Sequence, residues 1–216
     1  MVEVRNLSES DLDNAKYLTD SEDWGNSKGD WIRLFNMSIP LGAYQDDKLV
    51  GVTTAFDFGS LGMIGNVIVS DKFRGKDIGS ELVIEAKKRL ESCDSVRVHS
   101  NMNSTRFYKK LGFTPEGMTT LFRLDAELKE FQPFAIDSDD NIVPAEGFLD
   151  EILEIDKRQF GGDRSELIKD FIRNLPQCAF VALDENQVVK GFIVVNGDEN
   201  ISFDIKEGEI FGIAGV

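Results

Sequence analysis

The sequence predicts a mixed α/β (α+β) chain: one full sheet-and-helix unit followed by a second, smaller α/β unit. Three observations carry that prediction. Apolar residues switch between the two-residue period of strands and the 3.6-residue period of helices. Over residues 1–124 this gives strand, two helices, a meander, helix, strand, helix, strand. A β-branched run at Val67, Ile68 and Val69 passes through a basic, glycine-bearing loop straight into an amphipathic helix. Finally, a strand–acidic turn–strand pattern at Pro40 returns at Pro176.

Taken in order, Val2 to Asn6 reads as a short strand, and Ser8 or Ser10 can cap a helix opening near Asp11. A polar, turn-rich stretch from Thr19 to Asp30 carries Trp24, and a short helix is expected over residues 31–37. Leu41–Gln45 and Leu49–Phe58 are strands joined by Asp46-Asp47-Lys48, a hairpin signal. Met63–Ser70 is a buried strand. The helix from Ile78 to about Glu91 puts Ile78, Leu82, Val83, Ala86 and Leu90 on one face, with Glu85 and Arg89 at a supporting spacing. Val96–His99 is a strand, residues 101–111 a helix ended by Gly112, and Thr119–Leu124 a closing strand.

Residues 125–140 turn acidic, lose periodicity and read as a linker. Beyond it, Phe148–Phe160 and Ser165–Leu175 are helices, and a strand follows Pro176. The stretches from Pro40 and from Pro176 each hold an apolar strand, an acidic turn and a strand with one early glycine, Gly51 or Gly191. Each has two helices upstream and an apolar strand downstream. Residues 141–216 therefore read as a partial copy of residues 1–124 that stops where its own anion loop would begin.

The loop is where chemistry is expected. Lys72, Arg74, Gly75 and Lys76 precede a helix N-terminus at Ile78, Gly79 and Ser80. Free N–H groups and the helix dipole converge there, a physical recipe for a pyrophosphate. It is neither G-x-G-x-x-G nor G-x-x-x-x-G-K-[ST]. An incidental Arg-Gly turn explains the apolar pattern equally well. It does not explain two glycines and three cations in one short loop.

At these residues the chain resembles the GNAT superfamily of acetyl-CoA-dependent N-acetyltransferases, whose signature is R-x-x-G-x-G/A. Arg74, Ile78 and Gly79 fit it; the first glycine is Asp77 here. An acidic side chain beside a pyrophosphate weakens binding unless it turns outward. The resemblance implies a central, mostly antiparallel sheet flanked by helices. It also implies an acetyl-CoA site with pantetheine along Val67, Ile68 and Val69 and pyrophosphate on Arg74, Gly75, Lys76, Asp77, Ile78, Gly79 and Ser80. A second family pattern, N-x-x-A-x-x-L-Y-x-x-x-G-F, is met by Asn101, Ser104, Phe107, Tyr108, Gly112 and Phe113. It implies that Asn101, Ser104 and Phe107 border the cofactor. Tyr108 becomes the general acid for the leaving thiolate, against the blander reading of a half-buried helix tyrosine.

Trp24 falls where relatives build the acceptor pocket; Trp31 reads as core. No base is assigned: the central strand has no carboxylate, and Asp57 reads equally well as a turn residue. His99 reads as structural. The tandem layout and D-W-G-N-S-K-G-D-W, residues 23–31, are similar to a GNAT subgroup with a complete domain followed by a diverged one.

Composition bounds the partners. The net charge is −15 with a pI near 4.5, which argues against nucleic acid and favours a cationic acceptor, a small-molecule or peptide amine. Cys93 and Cys178 are far apart and His99 is the only histidine, so no metal site is expected and a reduced, cytoplasmic protein is. No window suits a membrane span. An exposed strand edge in the last unit would support a homodimer. The expected activity is acetyl transfer to a primary amine by direct attack. The rival is a catalytically degenerate acyl-CoA-binding or protein-interaction module, and acyl transfer to a hydroxyl is a third option.

Overall fold

The structure, a computed structural model, describes residues 2–22, 24, 26–118 and 141–194. The chain forms two compact units: residues 1–115 with Phe160–Arg164, and residues 116–159 with 165–216. The expected strand at 119–124, the linker at 125–140 and the last apolar strand at 209–216 lie outside the described residues.

In the first unit β1 (Val2–Asn6), β2 (Ile39–Gln45), β3 (Lys48–Asp57), β4 (Leu61–Val69) and β5 (Ser95–Val98) form one sheet in that order. All neighbours are antiparallel except β4 and β5, which are parallel. The β2–β3 turn is Asp46-Asp47, with φ of +50° and +58°. Both residues are left-handed, as a two-residue hairpin requires and as aspartate tolerates.

β3 is buried on both faces from Leu49 to Ala55, so helices must cover both sides. On one face α1 (Leu12–Asp20) and α2 (Lys28–Met37) bring Ala15, Leu18 and Trp31 against Tyr44, Leu49, Val52 and Ile68. Trp31 is fully buried and its indole N–H donates to Thr19 Oγ1 at 3.1 Å, so burying the ring leaves no polar group unpaired. On the other face α3 (Ile78–Arg89) lays Val83, Ala86 and Leu90 against Leu41, Ala55 and Ile64, joined by Tyr108 of α4 (Thr105–Lys110). Each fully buried side chain of this size contributes roughly 1.5–3 kcal/mol.

Two boundaries differ from the sequence reading. α2 starts at Lys28 rather than Trp31, because Ser27 and Asp30 form a reciprocal capping box: Ser27 Oγ accepts from the Asp30 amide and Asp30 Oδ2 from the Ser27 amide. The stretch from Asn101 opens as a tight turn, Met102–Ser104, before α4, with Asn101 Oδ1 accepting from the Ser104 amide at 3.0 Å.

The second unit holds β6 (Asn141–Pro144), α5 (Leu149–Phe160, its last residue counted with the first unit), α6 (Ser165–Asn174), β7 (Ala179–Leu183) and β8 (Val189–Val194). Its antiparallel sheet runs β6-β7-β8. The element order matches that of β1, α1, α2, β2 and β3.

Candidate active site

The site exists because the first sheet does not stay closed. β5 pairs with β4 only from Leu61↔Ser95 to Ile64↔Val98, while β4 runs on to Val69. Beyond Ile64 the β5-facing edge of β4 has no strand partner among the described residues. The parting coincides with a bulge: pairing with β3 jumps from Val52↔Ile68 to Thr54↔Gly65, and Asn66 adopts φ +51°. An inserted residue bends a strand and increases its twist. Two fully buried threonines hold the bulge, Thr53 Oγ1 donating to the Gly65 carbonyl at 2.9 Å and Thr54 Oγ1 to Asn66 Oδ1 at 3.3 Å.

β4 ends at the basic loop. Gly75 at φ +75° and Asp77 at φ +59° are both left-handed, and Asp77 is the N-cap of α3. This explains how aspartate stands where the signature has glycine: it is among the few side-chain-bearing residues that adopt this conformation readily. Among the described residues, no protein acceptor takes the backbone N–H groups of residues 75–80; the first α3 bond runs from the Glu81 amide to the Asp77 carbonyl. Those amides and the helix dipole fit a pyrophosphate.

Loop and parted strands enclose a cleft of about 470 Å³. Val67, Ile68 and Val69 line it from β4; Arg74, Gly75, Asp77, Ile78, Gly79 and Ser80 from the loop and α3; Asn101, Ser104, Phe107 and Tyr108 from the other wall. Trp24, half exposed, also reaches it. Lys76 does not line the cleft; its ammonium lies 5.1 Å over the Phe73 ring.

Tyr108 is buried between Phe107 and Phe113, both edge-to-face, at 4.9 and 5.8 Å between ring centres. Its hydroxyl makes no protein hydrogen bond among the described residues, and burial pushes the phenol up to about 12. It therefore stays protonated at neutral pH and can donate into the cleft.

Two cleft residues escaped the sequence reading, Phe73 and Glu22. Glu22 pairs with Arg74 Nη2, while Arg74 Nη1 meets Asp71 Oδ1 at 2.7 Å and Nε donates to the Val69 carbonyl at 2.9 Å. No pattern announces a contact spanning 52 positions. Asp57 lies outside the cleft lining; its carboxylate accepts from the Gly59 amide at 2.8 Å and from Ser92 Oγ at 3.4 Å. His99 is exposed and also outside the lining. Among the described residues no group of three or more metal-binding side chains occurs, and no helix is long and apolar enough to cross a membrane.

The family model of the acetyltransferase (GNAT) family matches residues 2–113, just over half of the chain and the part that carries this cleft. The chain belongs to the GNAT acetyltransferase family. An uncharacterized N-acetyltransferase of Bacillus subtilis (strain 168), YitH, is 24% identical over 149 residues, 68% of this chain and 51% of that protein. The chain thus spans about half the length of this curated relative. In fold, a putative acetyltransferase from Pyrococcus horikoshii is similar over 90% of this chain and 67% of its own, with TM-score 0.66 and 19% identity. An aminoglycoside N-acetyltransferase, AAC(6')-Iy, in complex with the bisubstrate analogue CoA-S-monomethyl-acetylneamine, matches 58% of this chain and 99% of its own at TM-score 0.51 and 13% identity.

Proposed function

We propose that the chain is an acetyl-CoA-dependent N-acetyltransferase that passes an acetyl group to a primary amine by direct attack. The observation that carries this is one cleft joining three features that have no partner among the described residues: the far edge of β4, the amides at the start of α3, and the hydroxyl of Tyr108. Acetyl-CoA, when bound, supplies the activated acetyl thioester.

The chain's residues divide the work. The open edge of β4 at Val67, Ile68 and Val69 offers backbone groups to an extended, amide-bearing arm, as an added strand would be held. The amides of residues 75–80, with the α3 dipole, hold the pyrophosphate, and Asn101, Ser104 and Phe107 form the facing wall. Holding both reactants in one cleft supplies the proximity term. Tyr108 Oη donates its proton toward the departing sulfur as the C–S bond breaks, and its raised pKa keeps that proton in place until then. The proton shed by the attacking nitrogen leaves to solvent, from which the phenol is restored. Trp24 gives the acceptor an aromatic wall at the cleft. Acidity across the chain (net −15) favours a cationic small-molecule or peptide amine.

Residues 141–216 are read as a second, GNAT-like unit, a reading supported by the matching element order of the described residues in the two units. A cytoplasmic protein and self-association as a homodimer through an open sheet edge of the last unit, not the β4 edge in the cleft, complete the proposal. The rival, a degenerate acyl-CoA-binding or interaction module, draws support from the carboxylates around Arg74. Calorimetric titration with acetyl-CoA, desulfo-CoA and ATP decides between them. Saturable binding restricted to the CoA forms, with acetylation of an amine, is expected. Absence of binding at millimolar ligand would overturn the enzyme.

A further inference from the structure

Arg74 is the residue of the anion loop whose charge is most fully spoken for. Its Nε is committed to the Val69 carbonyl, Nη1 to Asp71 and Nη2 to Glu22. The two carboxylates are not equivalent. Asp71 is three residues away on the same loop, 81% exposed, and lies outside the cleft lining. Glu22 comes from the end of the α1 region, is only 28% exposed, and lines the cleft beside Trp24. A carboxylate and a phosphate present the same thing to a guanidinium, two acceptor oxygens in one plane for two N–H groups. They cannot both have the same Nη2 edge.

Resting on the cofactor reading above, we infer that Glu22 is a built-in competitor for the anion site: its carboxylate holds the Arg74 edge that a phosphate of CoA takes. Glu22 then sets cofactor affinity. It adds negative charge to the cleft exactly where a phosphate arrives only if it keeps its place, so binding is coupled to its release from Arg74. The pair is partly exposed, so its worth is that of a surface ion pair and is salt-sensitive.

The test is calorimetric titration of desulfo-CoA and of inorganic pyrophosphate into wild type, Glu22→Gln and Asp71→Asn, at low and high salt. Both variants remove one negative charge next to Arg74, and neither side chain is buried, so folding is retained in both. Glu22→Gln is expected to bind both probes about two- to fivefold tighter. Asp71→Asn is expected to gain less, and the Glu22→Gln gain should shrink at high salt. Equal gains in the two variants would reduce Glu22 to background charge and overturn the inference. Weaker binding by Glu22→Gln would make Glu22 a brace that positions Arg74, with the same consequence, while the cofactor reading stands. If neither wild type nor any variant binds either probe, the inference and the cofactor reading fall together.

Discussion

The hydroxyl of Thr53 donates to the backbone carbonyl of Gly65 at 2.9 Å, tying β3 to β4 beside the bulge at Asn66. Thr53 is fully buried, so its hydroxyl has no water to bond to in place of this carbonyl. Thr53→Val keeps the shape and removes the donor, leaving the half-buried Gly65 carbonyl short of a partner. The expected cost is about 1–2 kcal/mol of stability in urea denaturation. An unchanged midpoint would mean that the bulge stands without this bond.

Tyr108→Phe is expected to cut turnover by about 10²–10⁴-fold with CoA affinity changed less than about twofold. Because the hydroxyl has no partner among the described residues, the folded state loses no hydrogen bond, and the thermal midpoint should hold or rise. Steady-state kinetics and a thermal melt separate these. Undiminished turnover removes Tyr108 from the chemistry.

Alkaline stability follows from two raised phenols. Burial pushes Tyr108 up to about 12, and burial with the hydrogen bond to Asp11 pushes Tyr44 up as well. An unfolded tyrosine loses its proton near pH 10. Above that the unfolded chain binds fewer protons than the folded one, so stability is full below about pH 10 and falls as pH rises toward about 12. Urea midpoints from about pH 9 to 11 should slope downward, less steeply in Tyr108→Phe. Parallel slopes would deny Tyr108 a share.

Gly79 lies in the first turn of α3 without a left-handed φ, and an added Cβ would sit 3.5 Å from Phe107 and 3.7 Å from Val69, ordinary contact distances. Gly79→Ala should therefore leave stability unchanged or raise it by up to about 1 kcal/mol. CoA binding should nonetheless weaken, because the methyl narrows the approach to the α3 amides. A loss of stability instead would show that the fold, not the ligand, requires glycine.

At Asp77 charge and conformation can be separated. Asp77→Asn retains a residue at ease with φ +59° and removes the charge beside the amides, so CoA should bind tighter at equal stability. Asp77→Ala should also shed the charge but cost about 1 kcal/mol in the left-handed region. Unaltered affinity in both would mean that the carboxylate faces away from the phosphates.

Local chemistry was legible in the sequence. The buried face of α3, from Ile78 to Leu90, follows from spacing alone. The Asp46-Asp47 hairpin and the helix end at Gly112, φ +88°, follow from turn residues. The signal for the early start of α2 was present as Ser27 and Asp30, three apart, but a polar first turn hides the apolar period. What local pattern could not supply was anything made by distant strands meeting. The bulge at Asn66 depends on how β3 pairs with β4. The pairing of Glu22 with Arg74 depends on the fold bringing α1's end to the loop after β4. The resemblance named neither Glu22 nor Phe73 of the cleft lining and named Lys76, which lies outside it; it gave no reason for Asp77, which its backbone angle supplies.

The parting of β4 from β5 leaves an open β edge, ordinarily an invitation to fibrillar stacking or strand exchange between molecules. Here the open length is only residues 65–69, interrupted by a kink at Asn66 and set within a cleft. A neighbouring sheet needs a longer, flatter rim than that. A thin ligand carrying its own amides does not. The same break in the ladder that makes room for chemistry is thus too short and too bent to template a second chain.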